Sequence, residues 1–544
     1  MTGADRLVAR LGELGVSHVF TNPGTTELEL VRALTTCESV TPVLVAQELV
    51  ATAAADGFGR IRGVGAALLH LGPGFSNGAA FVHDARRAHT PMLVIVGEHP
   101  APHLELDAPL NTDLAAIMAP FCVAVVVIDD VATIDACLDA AMRSAHSLGG
   151  PVGVIAPQDV MAAEVPPSSW VTPVVSHAVG ITARSQPMAI AHPDDVITPH
   201  VATVDVTELD QKILGDDPLF IVGSTALLGA GPAQIVAIAI KVNARYVAEV
   251  FPAVMERGTG VPYLPRLPYF PDQARAVIGT PSAVVFVGAG EPLAYFAEEG
   301  RSGYLIDQGV PRIQVVAIRG DAETILGQWC RHLGLKDLGE VRGVLDTEAA
   351  NELAEAPPSS LTGGDEVLTI ERLGEVFAAA ICEGDVIVDE GRTSSAPAFL
   401  HAHKAPPHRY LAHPGGAIGG GLGLALGAAL ASGARVRALV ADGGSLYAPQ
   451  ALWTMARYNL PIGIVIVAND GYRILRIEMR ARGIEPVSDE LTRLGGPAID
   501  YVALAHAFGV NGYRARTVHE LTAVLSDRRN AVTPFLVVAE LDQN

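Results

Sequence analysis

The segment that decides the fold reads Val436-Arg437-Ala438-Leu439-Val440-Ala441-Asp442-Gly443-Gly444 and, 27 residues beyond Asp442, Asn469-Asp470-Gly471-Tyr472. Residues 436–440 and 462–468 are apolar runs of strand length, with a helical pattern over 447–458 between them. One strand–helix–strand unit of this length sets the strands side by side and parallel. Both turns then meet at the carboxyl ends, where open α/β sheets bind ligands. The bare amides of Gly443 and Gly444 at a helix start suit the oxygens of a diphosphate. The Asp442 carboxylate, the Asn469 amide oxygen and a backbone carbonyl near Gly471 are hard oxygen donors. With phosphate oxygens and water they suit the octahedron of Mg²⁺. Singly, each is equally a plain Asp-Gly or Asn-Asp-Gly turn; the pairing at strand ends favours a ligand site.

Outward from this unit the alternation continues. Short apolar runs at 91–96, 283–287 and 386–388 are separated by amphipathic segments, the pattern of helix-covered parallel sheets. Pro166-Pro167-Ser168-Ser169 and Pro357-Pro358-Ser359-Ser360 mark linkers. The expected architecture is α/β in three domains of parallel sheets flanked by helices, at 1–165, 190–345 and 362–544. The outer thirds echo each other: Ala85-Arg86 precedes Pro91 and a strand, and Ala456-Arg457 precedes Pro461 and a strand. Two related domains, or only the sameness of all such units, would produce this.

Of the 544 residues 49% are hydrophobic, enough for several cores, and the net charge of −22 repels a nucleic-acid backbone. Five cysteines lack CxxC spacing and read as reduced thiols of a cytoplasmic protein. Residues 1–15 lack a signal-peptide core. The uncharged stretch 415–434 is glycine-rich and runs into Arg435 and Arg437, so a buried loop and helix is expected there rather than a membrane span.

The N-terminal third adds Val43-Leu44-Val45-Ala46-Gln47-Glu48-Leu49-Val50, followed by Ala54-Ala55-Asp56-Gly57-Phe58-Gly59-Arg60. An acid among small apolar residues is costly to bury charged; Glu48 is otherwise a surface or helix-start charge. With the Asp442–Asn469 pair, these residues resemble the thiamine-diphosphate (ThDP) enzyme family, whose diphosphate motif runs GDG, a similar interval, then NN. Ala441 and Ala468 depart from that motif, and Gly444 stands at its usual Ser, with Ser445 adjacent. Phe20-Thr21-Asn22-Pro23-Gly24-Thr25-Thr26-Glu27 and Leu69-His70-Leu71-Gly72-Pro73-Gly74-Phe75-Ser76-Asn77 are similar to benzoylformate decarboxylase and acetolactate synthase.

The resemblance covers nearly the whole chain and implies pyrimidine-binding, middle and diphosphate-binding domains. It implies that Glu48 activates the cofactor, that Asp442, Asn469 and Gly471 hold Mg²⁺, and that Gly443, Gly444, Ser445 and Tyr472 line the diphosphate. Asp389-Glu390-Gly391-Arg392-Thr393-Ser394 looks like the segment covering the cofactor, through Gly391 and Thr393. Ile418 would prop the cofactor in its bent form, or is one more core aliphatic. The two halves of the site would meet between subunits, implying a homodimer or homotetramer.

The resemblance further implies that a small 2-oxo acid loses CO₂. His70 matches an acid–base histidine of benzoylformate decarboxylase, and is otherwise a plain loop histidine. Thr25 falls where that enzyme has a carboxylate-binding Ser. The second active-site histidine has no counterpart between Gly288 and Arg301, where Phe296 or its neighbours stand. Leu475 occupies the place of the glutamate of pyruvate decarboxylase. The leading expectation is a ThDP- and Mg²⁺-dependent decarboxylase with carboligase capacity. An acetolactate-synthase-like transferase and a non-catalytic ThDP-binding relative are the alternatives.

Overall fold

The computed structural model describes residues 1–165, 204–209, 211–296, 300–335, 366–485 and 489–542. Both Pro/Ser-rich stretches, and the outer limits expected for the middle domain, lie outside these residues. The first sheet contains β1 (His18–Thr21), β2 (Thr41–Leu44), β3 (Gly65–His70), β4 (Met92–Glu98), β5 (Ala124–Val127) and β6 (Pro151–Pro157). Its order is β2-β1-β3-β4-β6-β5 and every neighbouring pair is parallel. All seven residues of β4 are buried, as helices on both faces require.

The middle segment supplies β7 (Leu219–Val222), β8 (Arg245–Ala248), β9 (Met255–Arg257), β10 (Val284–Val287) and β11 (Arg312–Val316). Four form a parallel sheet ordered β11-β10-β7-β8, but β9 leaves it. The third sheet holds β12 (Val386–Glu390), β13 (His408–Ala412), β14 (Val436–Ala441), β15 (Ile462–Ala468), β16 (Asn511–Ala515) and β17 (Phe535–Glu540). Its order is β16-β17-β15-β14-β12-β13-β9, parallel except for β9 against β13. Arg257 anchors that edge: its guanidinium stacks 3.4 Å from the Phe399 ring centroid and donates to the Phe399 carbonyl.

Five helices shape the site: α1 (Glu48–Arg62), α2 (Leu71–Arg87), α3 (Gly421–Ser432), α4 (Asp442–Ser445) and α5 (Arg473–Ala481). Helix α3 is the glycine-rich stretch, buried along most of its length. No helix among the described residues is long and apolar enough to cross a membrane. The helix expected over 447–458 is confined to Ala451–Arg457, because the residue before Pro449 is steered away from helical geometry.

Small residues let α1 and α3 meet backbone to backbone. A Cβ on Gly427 would lie 1.9 Å from the Ala54 carbonyl oxygen, and one on Gly57 would lie 2.2 Å from that of Leu424. Residue numbers rise together across this contact, from Val50 and Gly423 to Phe58 and Gly427, so both helices present their N-termini at one end.

The echo between the outer thirds is structural. Arg87 and Arg457 end helices, His89 (φ 53°) and Asn459 (φ 47°) then turn through left-handed geometry, and Pro91 and Pro461 lead into β4 and β15. The Pro91 and Pro461 carbonyls accept equivalent 3.0 Å bonds from Gly65 and Val436. The same local chemistry builds both units.

Candidate active site

The turns after β14 and β15 lie together as the spacing requires, since those strands are hydrogen-bonded neighbours. Asp442 is buried; its Oδ2 accepts from the Asn469 backbone N–H at 3.1 Å and its Oδ1 from Gly443 at 2.8 Å. Burial raises its carboxyl above the usual range against those backbone bonds, a cost that a bound cation would offset. A Cβ on Gly443 would press to 2.7 Å from the Tyr472 ring, so a larger residue there would push that side chain aside. Asp470 takes a left-handed φ of 57°, and Gly471 is pinned by a bridge to Arg493. One carboxylate, one amide and one carbonyl on a rigid double turn fit Mg²⁺ and a diphosphate. The Ser445 hydroxyl points inward, donating to the Asp442 carbonyl at 2.7 Å.

Glu48 begins α1, half-buried. Its carboxylate accepts from Asn22 Nδ2 at 2.9 Å and Asn77 Nδ2 at 3.2 Å, so two amides from separate segments aim it. His70 ends β3, and Nδ1 lies 2.8 Å from Glu27 Oε2 and 3.0 Å from Thr26 Oγ. Glu27 is fully buried and also accepts from the Gly24 amide, so its carboxylate is a fixed acceptor. With Nδ1 so engaged, Nε2 is the ring nitrogen left to exchange a proton. Thr25 is exposed on the same turn, and Thr26 rather than Thr25 reaches the histidine.

Ile418 is 46% exposed, whereas the glycines that follow it are buried, so it is not a core residue. Its loop is held from three sides. Glu390, 1% exposed, accepts from the Gly419 and Gly421 amides. Asp84 accepts from Gly415 at 2.9 Å, and Arg392 Nη2 donates to the Ala417 carbonyl at 2.5 Å. Beneath lies a buried charge network in which Arg60 donates to Asp56, to Asp84 and to the carbonyls of Ala253 and Ala412. Burial works against the Asp84 charge, yet His413 and Arg60 hold its carboxyl below the usual range.

Gly391 is buried after Glu390, and Thr393 is half-buried on the next turn. Asn22, Glu27, Arg60, Asn77 and Glu390 all fall inside motif stretches, but spacing alone does not single them out; Asp84 and His413, which bond one another, lie outside those stretches. The α1–α3 packing occurs within one chain.

Residues 1–117 match the N-terminal TPP binding domain of thiamine pyrophosphate enzymes, and residues 391–539 match their C-terminal TPP binding domain. A Mycobacterium tuberculosis protein named for the acetolactate synthase large subunit, IlvX, is 33% identical over 532 residues, 96% of each chain. Benzoylformate decarboxylase of Pseudomonas aeruginosa is 24% identical over 541 residues, again 96% of each. The solved ThDP-dependent 4-hydroxybenzoylformate decarboxylase of Rhodococcus jostii RHA1 superposes with a TM-score of 0.76 over the full length of both chains, at 21% identity, so the fold is shared. The chain belongs to the thiamine-diphosphate-dependent enzymes. Within them it is related to both acetolactate synthases and benzoylformate decarboxylases.

Proposed function

We propose that the protein is a ThDP- and Mg²⁺-dependent 2-oxo-acid decarboxylase with carboligase capacity. The carrying observation is the aimed Glu48 carboxylate, at the same end of the α1–α3 pair as the Ile418 loop. Bound ThDP supplies a nucleophilic carbon and a sink for the electron pair left when CO₂ departs. Asp442, Asn469 and the Gly471 carbonyl would hold the metal, and Gly443 and Gly444 the diphosphate. Glu48, fixed by Asn22 and Asn77, would set the proton of the pyrimidine ring. His70, its Nδ1 on Glu27, would deliver a proton from Nε2 to the carbon that has lost CO₂, which yields an aldehyde.

Incubation with ThDP, Mg²⁺ and a panel of aliphatic and aromatic 2-oxo acids is expected to release CO₂. Absence of turnover with cofactor demonstrably bound would overturn the proposal. The likeness to IlvX favours a second reading, an acetolactate-synthase-like transferase joining two 2-oxo acids; assay for acetolactate distinguishes it. The missing histidine between Gly288 and Arg301 argues for a substrate other than benzoylformate. A homodimer or homotetramer belongs to the same proposal and is tested by analytical ultracentrifugation. The five free cysteines support a reducing cytoplasm, tested by cell fractionation.

A further inference from the structure

Arg392 sits where a side chain is least expected. Its φ is 53°, in the left-handed region that favours glycine, while Gly391 beside it has an ordinary φ of −71°. The strain therefore accompanies the guanidinium and not the glycine. The side chain is half-buried and gives one bond, to the Ala417 carbonyl next to Ile418. A guanidinium has five N–H donors, so most of its capacity has no acceptor among the described residues.

Among the described residues no carboxylate lies within ion-pair distance of it, and the neighbouring acids are engaged. Glu390 is bound by the Gly419 and Gly421 amides, and Asp389 by the Tyr410 hydroxyl and the Gly391 amide. Asp84 is bound by Arg60, His413 and Gly415, and Glu478 by Arg482. Tyr269, Tyr295 and Asp84 feel the Arg392 charge, and the two tyrosine rings lie tilted at 5.3 Å between centroids, with Phe251 against both. Tyr295 also reaches the Pro414 carbonyl, so these aromatics flank the Ile418 loop.

We infer that Arg392 binds a second carboxylate of the substrate, which makes the preferred substrate a dicarboxylic 2-oxo acid; this rests on the decarboxylase reading above. The scissile carboxylate loses its charge as CO₂ leaves. A full cation holding it would stabilise the ground state over the transition state and slow the reaction. The anion that Arg392 serves is therefore a distal one. In a chain of net charge −22, a local cation is also what a dianion needs in order to dock.

The test uses holoenzyme and two substrate pairs, 2-oxopentanedioate against 2-oxopentanoate and 4-carboxyphenylglyoxylate against phenylglyoxylate. The wild type is expected to favour the diacid in at least one pair. Arg392→Met and Arg392→Gly should lower the diacid-to-monoacid ratio of kcat/KM by roughly 10- to 100-fold, with partial retention in Arg392→Lys. Glycine is relaxed at this φ, so the second variant guards against misfolding. ThDP titration by fluorescence reads the cofactor site separately. Monoacid preference in both pairs, or weakened ThDP binding with an unchanged ratio, overturns the inference. Should none of the acids turn over, calorimetry with glutarate decides. Saturable binding that Arg392→Met abolishes supports the site, and absent or unchanged binding refutes it.

Discussion

Asp84 and His413 are 329 residues apart in sequence, yet Asp84 Oδ2 lies 3.1 Å from His413 Nδ1 with both side chains removed from solvent. The same carboxylate accepts from Gly415 and Arg60, so helix α2 fixes the loop that presents Ile418. Asp84→Ala would leave Arg60 paired to Asp56 but take the acceptor from His413 and from the Gly415 amide, and is expected to cost about 3–5 kcal/mol, the range for breaking a buried ion pair. Denaturant unfolding measures that loss. Asp84→Asn, which can still accept from Gly415, should keep more of the ThDP affinity than Asp84→Ala does.

Glu48→Gln keeps size and shape but not the ionisable group. A loss of roughly 10²–10⁴ in kcat is expected, the range for one acid–base partner. Deuterium exchange at the thiazolium carbon, followed by NMR, should slow in parallel. An unchanged exchange rate would remove Glu48 from the activation step.

Asp442→Ala or Asn469→Ala removes a donor from the double turn. Apparent affinity for ThDP in the presence of Mg²⁺ should fall by at least roughly 10- to 100-fold, since even second-sphere changes have that effect. Chelation of the wild type should release the cofactor, and excess Mg²⁺ should restore it; both are read by fluorescence titration.

Gly427→Val puts a branched side chain where even a Cβ would meet the Ala54 carbonyl at 1.9 Å. The α1–α3 contact cannot close around it, and a loss of about 1–3 kcal/mol or more is expected on overpacking. Thermal melts of this variant beside Gly433→Ala, on the open C-cap of the same helix, separate the contact from the general cost of replacing glycine.

Glu249 supplies a pH dependence. Its carboxyl packs against Gly223, and burial raises it from 4.5 to about 7 despite a bond from the Gly290 amide. The folded state therefore binds this proton more tightly than the unfolded chain. The contribution to stability is complete below 4.5 and is lost as pH rises through about 7. Glu249→Gln should flatten that part of the stability profile and gain roughly 3 kcal/mol over wild type at about pH 8. Urea midpoints across that range provide the check.

Legibility followed the range of the interactions. Strand β15 falls at the residues its apolar run marks, and the Asp442–Asn469 pair meets because a short crossover leaves the strands no alternative. The transfer of β9 to the third sheet was not legible. A three-residue edge strand carries no periodicity, and its placement depends on Arg257 finding the Phe399 ring. Thr26, one position from Thr25, reaches His70 because the turn orients it so, and the one-dimensional pattern does not specify that orientation.

By itself the sequence determined the parallel α/β units and the adjoining turns at Asp442 and Asn469, because each depends on residues close together or on a fixed spacing. Tertiary structure alone decided what holds them. Asn22 and Asn77 aim Glu48, Glu390 and Asp84 hold the Ile418 loop, and Arg392, whose charge also helps lower the Asp84 carboxyl, donates to the Ala417 carbonyl. Those contacts join segments tens to hundreds of residues apart; the Asp84–Gly415 bond, across 331 residues, spans the two outer segments that α1 and α3 pack together.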